Sequence, residues 1–105
     1  MDKLKETEGD ILKSVRQYLR LEGFFVIRNQ QSLGSHLGLS DLTAVRDDAT
    51  LWIEIKKPKG YQSDRQKEFE HDINSHGGKY IVVRSVADIQ GYLLANKMNK
   101  INQLF

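Results

Sequence analysis

Residues 38–57 read GLSDLTAVRDDATLWIEIKK, and they set two carboxylates and a lysine inside otherwise apolar strand patterns. Residues 42–46 and 51–57 are rich in β-branched and aromatic side chains, and the Asp47-Asp48-Ala49-Thr50 stretch between them has turn composition. The spacing predicts an antiparallel hairpin. Side chains alternate faces along a strand, so Leu51, Ile53 and Ile55 share one face while Trp52, Glu54 and Lys56 share the other. A four-residue turn pairing Arg46 with Leu51 would set Thr43 opposite Glu54 and Asp41 opposite Lys56, gathering the charged groups on one face.

Working outward, Leu4, Glu8, Ile11, Val15, Tyr18 and Glu22 follow the spacing of one helix face. A helix is expected over residues 7–22, ending near Gly23, with Glu8 in a slot that faces the sheet. Residues 24–28 read as a first strand, and residues 29–40 as the longest irregular segment, a loop leading directly to Asp41. Within that loop His36 reads as a phosphate contact or a bystander rather than a metal ligand. In residues 63–76 the large apolar residues are Phe69 and Ile73, and Gln66 precedes Phe69 by three positions, so Gln66 should face inward from a second helix. Gly77-Gly78 stops that helix, and Tyr80-Ile81-Val82-Val83, apolar on both faces, reads as a buried strand parallel to the Glu54 strand. Ser85 then caps a last helix. Plainer readings stand beside these. Glu8 suits the first turn of a helix capped by Thr7, Gln66 suits the third position of a Ser63 capping box, and Glu54 with Lys56 could be a solvated ion pair. Polar groups from four elements converging on one patch favour a common site, because carboxylates buried together are costly without a compensating cation.

These residues also carry a resemblance. Glu8-Gly9-Asp10-Ile11, Gly38-Leu39-Ser40-Asp41, Ile53-Glu54-Ile55-Lys56-Lys57-Pro58 with Gly60, and Ser63-Asp64-Arg65-Gln66 resemble, in order, the motifs of the VRR-NUC nucleases, a branch of the PD-(D/E)xK superfamily. The resemblance implies an α/β fold with a mixed sheet, in the order αβββαβ plus a C-terminal helix. It implies an endodeoxyribonuclease dependent on Mg²⁺ or Mn²⁺, with catalytic residues Glu8, Asp41, Glu54, Lys56 and Gln66. Asp41, Glu54 and the backbone carbonyl of Ile55 would be the metal ligands, with Glu8 binding directly or through water. Where the family has Pro before the Asp, this chain has Ser40.

Composition agrees with that reading. A chain of 105 residues suits a single domain, here taken as 1–105, that buries roughly 60–70% of its unfolded surface. With no cysteine there is neither a disulfide framework nor a thiolate metal site, and His36, His71 and His76 lack ligand spacing, so any metal is expected to be oxygen-bound. No apolar run approaches the ~20 residues of a membrane span and the first residues lack a signal-peptide core, which leads us to expect a cytoplasmic protein. The net charge is +2, but setting aside Glu8, Asp41 and Glu54 leaves eleven acids against sixteen bases. Arg28, Lys57, Lys59, Arg65 and Lys67 are the expected DNA contacts around the site.

Small stand-alone relatives of this type suggest branched DNA, in particular four-way (Holliday) junctions, as the substrate. The alternatives are a nuclease acting on flaps or single strands, and a non-catalytic binding domain of the same fold. Val86, Ile89, Leu93, Ala95, Met98, Ile101, Leu104 and Phe105 continue an apolar run past the resemblance. They lead us to expect a homodimer, against the alternative that the segment folds back over its own core.

Overall fold

The computed structural model describes residues 6–101. The elements are α1 (Glu8–Leu21), β1 (Phe25–Arg28), β2 (Leu42–Arg46), β3 (Ala49–Ile55), α2 (Asp64–Ser75), β4 (Lys79–Val83) and α3 (Val86–Ala95). This is the expected order. The strands form one mixed sheet, β1-β2-β3-β4, with β1, β2 and β3 antiparallel in succession and β4 parallel to β3. On one face Val26, Leu42, Ala44, Leu51, Ile53, Ile55 and Val83 are buried in a core completed by Ile11, Val15, Leu19, Ile89 and Leu93 of α1 and α3. The other face carries Trp52, Glu54 and Tyr80, and α2 lies over it: the Phe69 ring stands edge-on to Trp52 at 5.7 Å and to Tyr80 at 6.0 Å.

The hairpin register differs from expectation by two residues. Arg46 pairs with Ala49, not Leu51, and Thr43 with Trp52, not Glu54. The turn is therefore only Asp47-Asp48, and Asp47 adopts φ +56°, a left-handed conformation that short hairpin turns favour and that Asp tolerates better than most residues. A two-residue shift preserves every face, because the side-chain period is two. Extending the pairing by one step sets Asp41 directly opposite Glu54 rather than Lys56.

One other expectation is corrected. The strand β4 is at the sheet edge, with Ile81 and Val82 only half-buried, and among the described residues no strand follows it on the far side. Four of the six described residues of the C-terminal apolar run serve the protein's own core: Ile89 and Leu93 are fully buried, while Val86 and Met98 pack against it. Ala95 is exposed, Ile101 is 39% exposed, and Leu104 and Phe105 lie outside the described residues. The chain beyond α3 is held by Glu22, buried at the end of α1. Its carboxylate accepts the Lys100 N–H at 2.6 Å and the Tyr18 hydroxyl at 2.6 Å. Burial and that bond to Glu22 raise the Tyr18 phenol above its ordinary pKa, so it stays a donor. Arg46 completes the junction: its guanidinium lies 4.3 Å from the centre of the Phe24 ring and donates to the Glu22 carbonyl at 2.7 Å and to the Met98 carbonyl.

Candidate active site

The site is built where the loop before β2, the end of β3 and the start of α2 meet. Gly38 makes that meeting possible. Its φ is +76°, and a Cβ there would stand 2.1 Å from the Arg65 carbonyl oxygen, so only glycine allows the loop to lie against the first turn of α2. The loop then reaches Asp41 through Ser40, which is fully buried. The Ser40 carbonyl accepts from the Asn29 side-chain amide at 3.0 Å, and the same amide donates to the Thr43 hydroxyl at 2.9 Å. The Asn29 backbone N–H donates to the Asp41 carbonyl at 2.8 Å. Asp41 is thus tied to β1 through its backbone, and its Oδ2 accepts the Ile55 N–H of β3 at 2.8 Å.

Glu54 is the centre of the arrangement. It is 2% exposed, and its Oε2 accepts from the Gln66 side-chain amide at 2.7 Å and lies 3.5 Å from the Lys56 ammonium. Gln66 fulfils both of its readings at once: its Nε2 reaches Glu54 while its Oε1 accepts the Ser63 N–H at 2.8 Å, closing the capping box of α2. The other oxygen, Glu54 Oε1, is buried with no hydrogen-bond partner. Burial, reinforced by the Asp41 carboxylate and only partly offset by Lys56, pushes the Glu54 carboxyl up to about 8. Two facing carboxylates with one ammonium beside them lack positive charge. An oxygen-seeking divalent cation fits that deficit and the unpartnered Oε1. Among the described residues no group of three or more His, Cys, Asp or Glu side chains is placed to hold a metal, so such an ion would draw on two carboxylates and on backbone or water oxygens.

Two solved structures share this architecture. One, described as "VRR_NUC domain", superposes with a TM-score of 0.72 at 19% identity, over 84% of this chain and 94% of that one. The second, "VRR_NUC domain protein", gives a TM-score of 0.74 at 20% identity, over 92% of this chain and 93% of its own. The chain has the VRR-NUC fold. No family model matches the sequence, and no curated protein matches it.

Within the VRR-NUC fold, Asp41, Glu54, Lys56 and Gln66 come together as expected, with Ile55 between them on β3. Glu8 does not join the buried stripe of α1. It is the exposed first residue of α1, and the inward stripe begins at Ile11. The helix starts there because Thr7 caps it, exchanging 3.0 Å bonds with Asp10. The slot that periodicity assigns to Glu8 lies at the helix end, where an acid is favoured by the dipole without being buried. Arg28, Lys57, Lys59, Arg65 and Lys67 are all exposed. Arg28 and Asn29 line a cleft of about 380 Å³ with Asp41, whereas Arg65 sits 3.5 Å from Glu68. Ser40, in place of the family's Pro, is held by hydrogen bonds from Asn29 and, at 3.4 Å, Gln31, which stiffen the approach to Asp41 by another route. Asn29 and Arg84, which donates to the Gly60 carbonyl at 3.0 Å, are positioning residues that sequence reasoning missed. Their roles depend on the course of loops, which no local pattern encodes.

Proposed function

We propose that this chain is a divalent-metal-dependent endodeoxyribonuclease of the VRR-NUC type. The observation that carries the reading is the buried Glu54 carboxylate opposite Asp41, with one oxygen held by Gln66 and Lys56 and the other left without a partner. Asp41, Glu54 and the Ile55 carbonyl would hold Mg²⁺ or Mn²⁺, and Glu8, exposed at the start of α1, would act through water. A bound ion would supply Lewis acidity toward a phosphoryl oxygen and a water of lowered pKa.

The chain's own residues do the rest. Gln66 fixes the rotamer of Glu54, so the unpartnered oxygen is presented in one orientation. Lys56 donates to the attacking water and stabilises the negative charge that grows on the phosphate as the leaving 3′ oxygen departs. The N-terminus of α2, closed by Ser63, favours an anionic group at that edge of the site. Exposed Arg28, Lys57, Lys59, Arg65 and Lys67 would contact flanking phosphates independently of base sequence.

For the substrate, branched DNA with unpaired nucleotides, such as a flap, is the reading we favour over a four-way junction. Resolving a four-way junction needs paired cuts and hence two copies, whereas Ile89 and Leu93, two of the residues expected to join them, are buried in the chain's own core. Cleavage of four-way junctions, flaps, single strands and linear duplex should be compared in Mg²⁺, Mn²⁺ and EDTA. Metal-dependent cutting of the flap is expected. No cutting of any substrate in either metal would favour a non-catalytic binding domain.

A further inference from the structure

Beyond Glu54, the same face of the protein opens into a hollow of about 400 Å³ between the hairpin and α2. Trp52, Phe69 and Ile73 give it buried or half-buried apolar walls, and exposed His36, Asp72 and His76 complete the lining. The Phe69 ring stands edge-on to Trp52 and, at 5.3 Å, to His36. Both imidazoles face a backbone carbonyl through Nδ1: His36 at 2.9 Å from the Leu37 oxygen and His76 at 2.7 Å from the Asp72 oxygen. Since a carbonyl can only accept, each Nδ1 carries the proton, and in the neutral ring Nε2 is left as an acceptor. With the Asp72 carboxylate, the polar lining therefore offers acceptors.

Such a hollow suits a flat ligand that presents a π face to the aromatic side chains and N–H donors to the edge. Trp52 lies two residues before Glu54 on the same strand face, about 7 Å away along the strand. That is within reach of a base whose neighbouring phosphate is held at Asp41 and Glu54. We infer that the hollow takes one unpaired nucleobase of the strand being cut. This rests on the nuclease reading and deepens it, because a base in intact duplex is not free to enter. Strands with unpaired nucleotides beside the cut are then the preferred substrates.

Trp52 is the single tryptophan of the chain, so its fluorescence reports occupancy directly. The probe is an end-labelled duplex with a single-stranded flap of mixed adenine and cytosine, in which one abasic nucleotide is moved stepwise from the junction. Binding is followed by anisotropy, in Ca²⁺ and again in EDTA. Binding should quench Trp52, and an abasic site at one position should abolish the quenching and weaken affinity about five-fold or more. His76→Ala, at an exposed position, should weaken the intact flap but not the flap abasic at that position. Binding without quenching, or equal quenching at every abasic position, would overturn the pocket while leaving the nuclease reading intact. No anisotropy change together with no metal-dependent cleavage would overturn both.

Discussion

A carboxyl group held near pH 8 by burial and a neighbouring acid is poised to exchange its proton for a cation, and Glu54 is such a group. The sign of its effect on stability follows. Its folded pKa lies above the ordinary carboxylate value, so in metal-free protein its contribution is fully present below about pH 4.5 and is lost as pH rises toward 8. In EDTA, the melting temperature of the wild type should therefore fall relative to Glu54→Gln between about pH 5 and 8, and saturating Mn²⁺ should reverse that fall. A constant difference across this range would show that Glu54 is not desolvated as described. Lys56 plays a separate part. Lys56→Ala should reduce cleavage by about 10²–10³-fold while Mn²⁺ binding, read by calorimetry, persists, because a charged lysine has no lone pair to offer a metal. Loss of Mn²⁺ binding in this variant would place Lys56 in a structural role instead. At this scale the sequence was informative for Asp41, Glu54, Lys56 and Gln66, whose types and strand or helix phase sufficed. It was less informative for Glu8, which helical phase puts on the inward stripe and which is exposed at the first turn of α1.

Among the elements, the hairpin and the loop before it decide whether the site assembles. Alternation along 42–46 and 51–55 was enough to place side chains on faces, since any even shift of register keeps them there. The pairing itself depended on Asp47 adopting a positive φ, a choice that turn composition alone does not reveal. Gly38 carries the greatest burden in the loop. Gly38→Ala adds a side chain at φ +76° against the Arg65 carbonyl, so the loop must leave α2 and separate Asp41 from Gln66. The expected outcome is a stability loss of at least about 1–2 kcal/mol by denaturant titration, with cleavage falling more steeply than the folded fraction. A variant with wild-type stability and activity would contradict the contact. The mixed topology follows from the same physics: a two-residue turn joins antiparallel β2 and β3, the long loop 29–41 brings β1 and β2 together antiparallel, and the parallel β4 requires α2 as a crossover.

For the whole molecule, two buried carboxylates do opposite work. Glu54 is left short of partners at the site, whereas Glu22 is surrounded by them and fastens the chain after α3 onto α1 and β2. Glu22→Ala should cost about 3–5 kcal/mol, since it removes the buried charge beside Arg46 and the acceptor of the Tyr18 hydroxyl and the Lys100 N–H, yet folded protein should cleave normally because the hub holds scaffold rather than site. A stable variant with lost cleavage would reverse that division. The Glu22 hub was hidden in the sequence, where its position on the α1 stripe looked like a helix end, because the backbone N–H groups it holds are 78 and 79 residues away. For the same reason the sequence alone did not reveal that Ile89 and Leu93 of the C-terminal apolar run pack into one core with α1. The claim on which everything else depends is that Glu54 and Asp41 hold a metal that cuts DNA. Its most direct test is cleavage of a flap substrate by wild type and Glu54→Gln in Mn²⁺, with both proteins shown to be folded. The wild type should cut and stop cutting in EDTA, and Glu54→Gln should lose at least about 10²-fold in rate. Cleavage by Glu54→Gln at the wild-type rate would contradict the account.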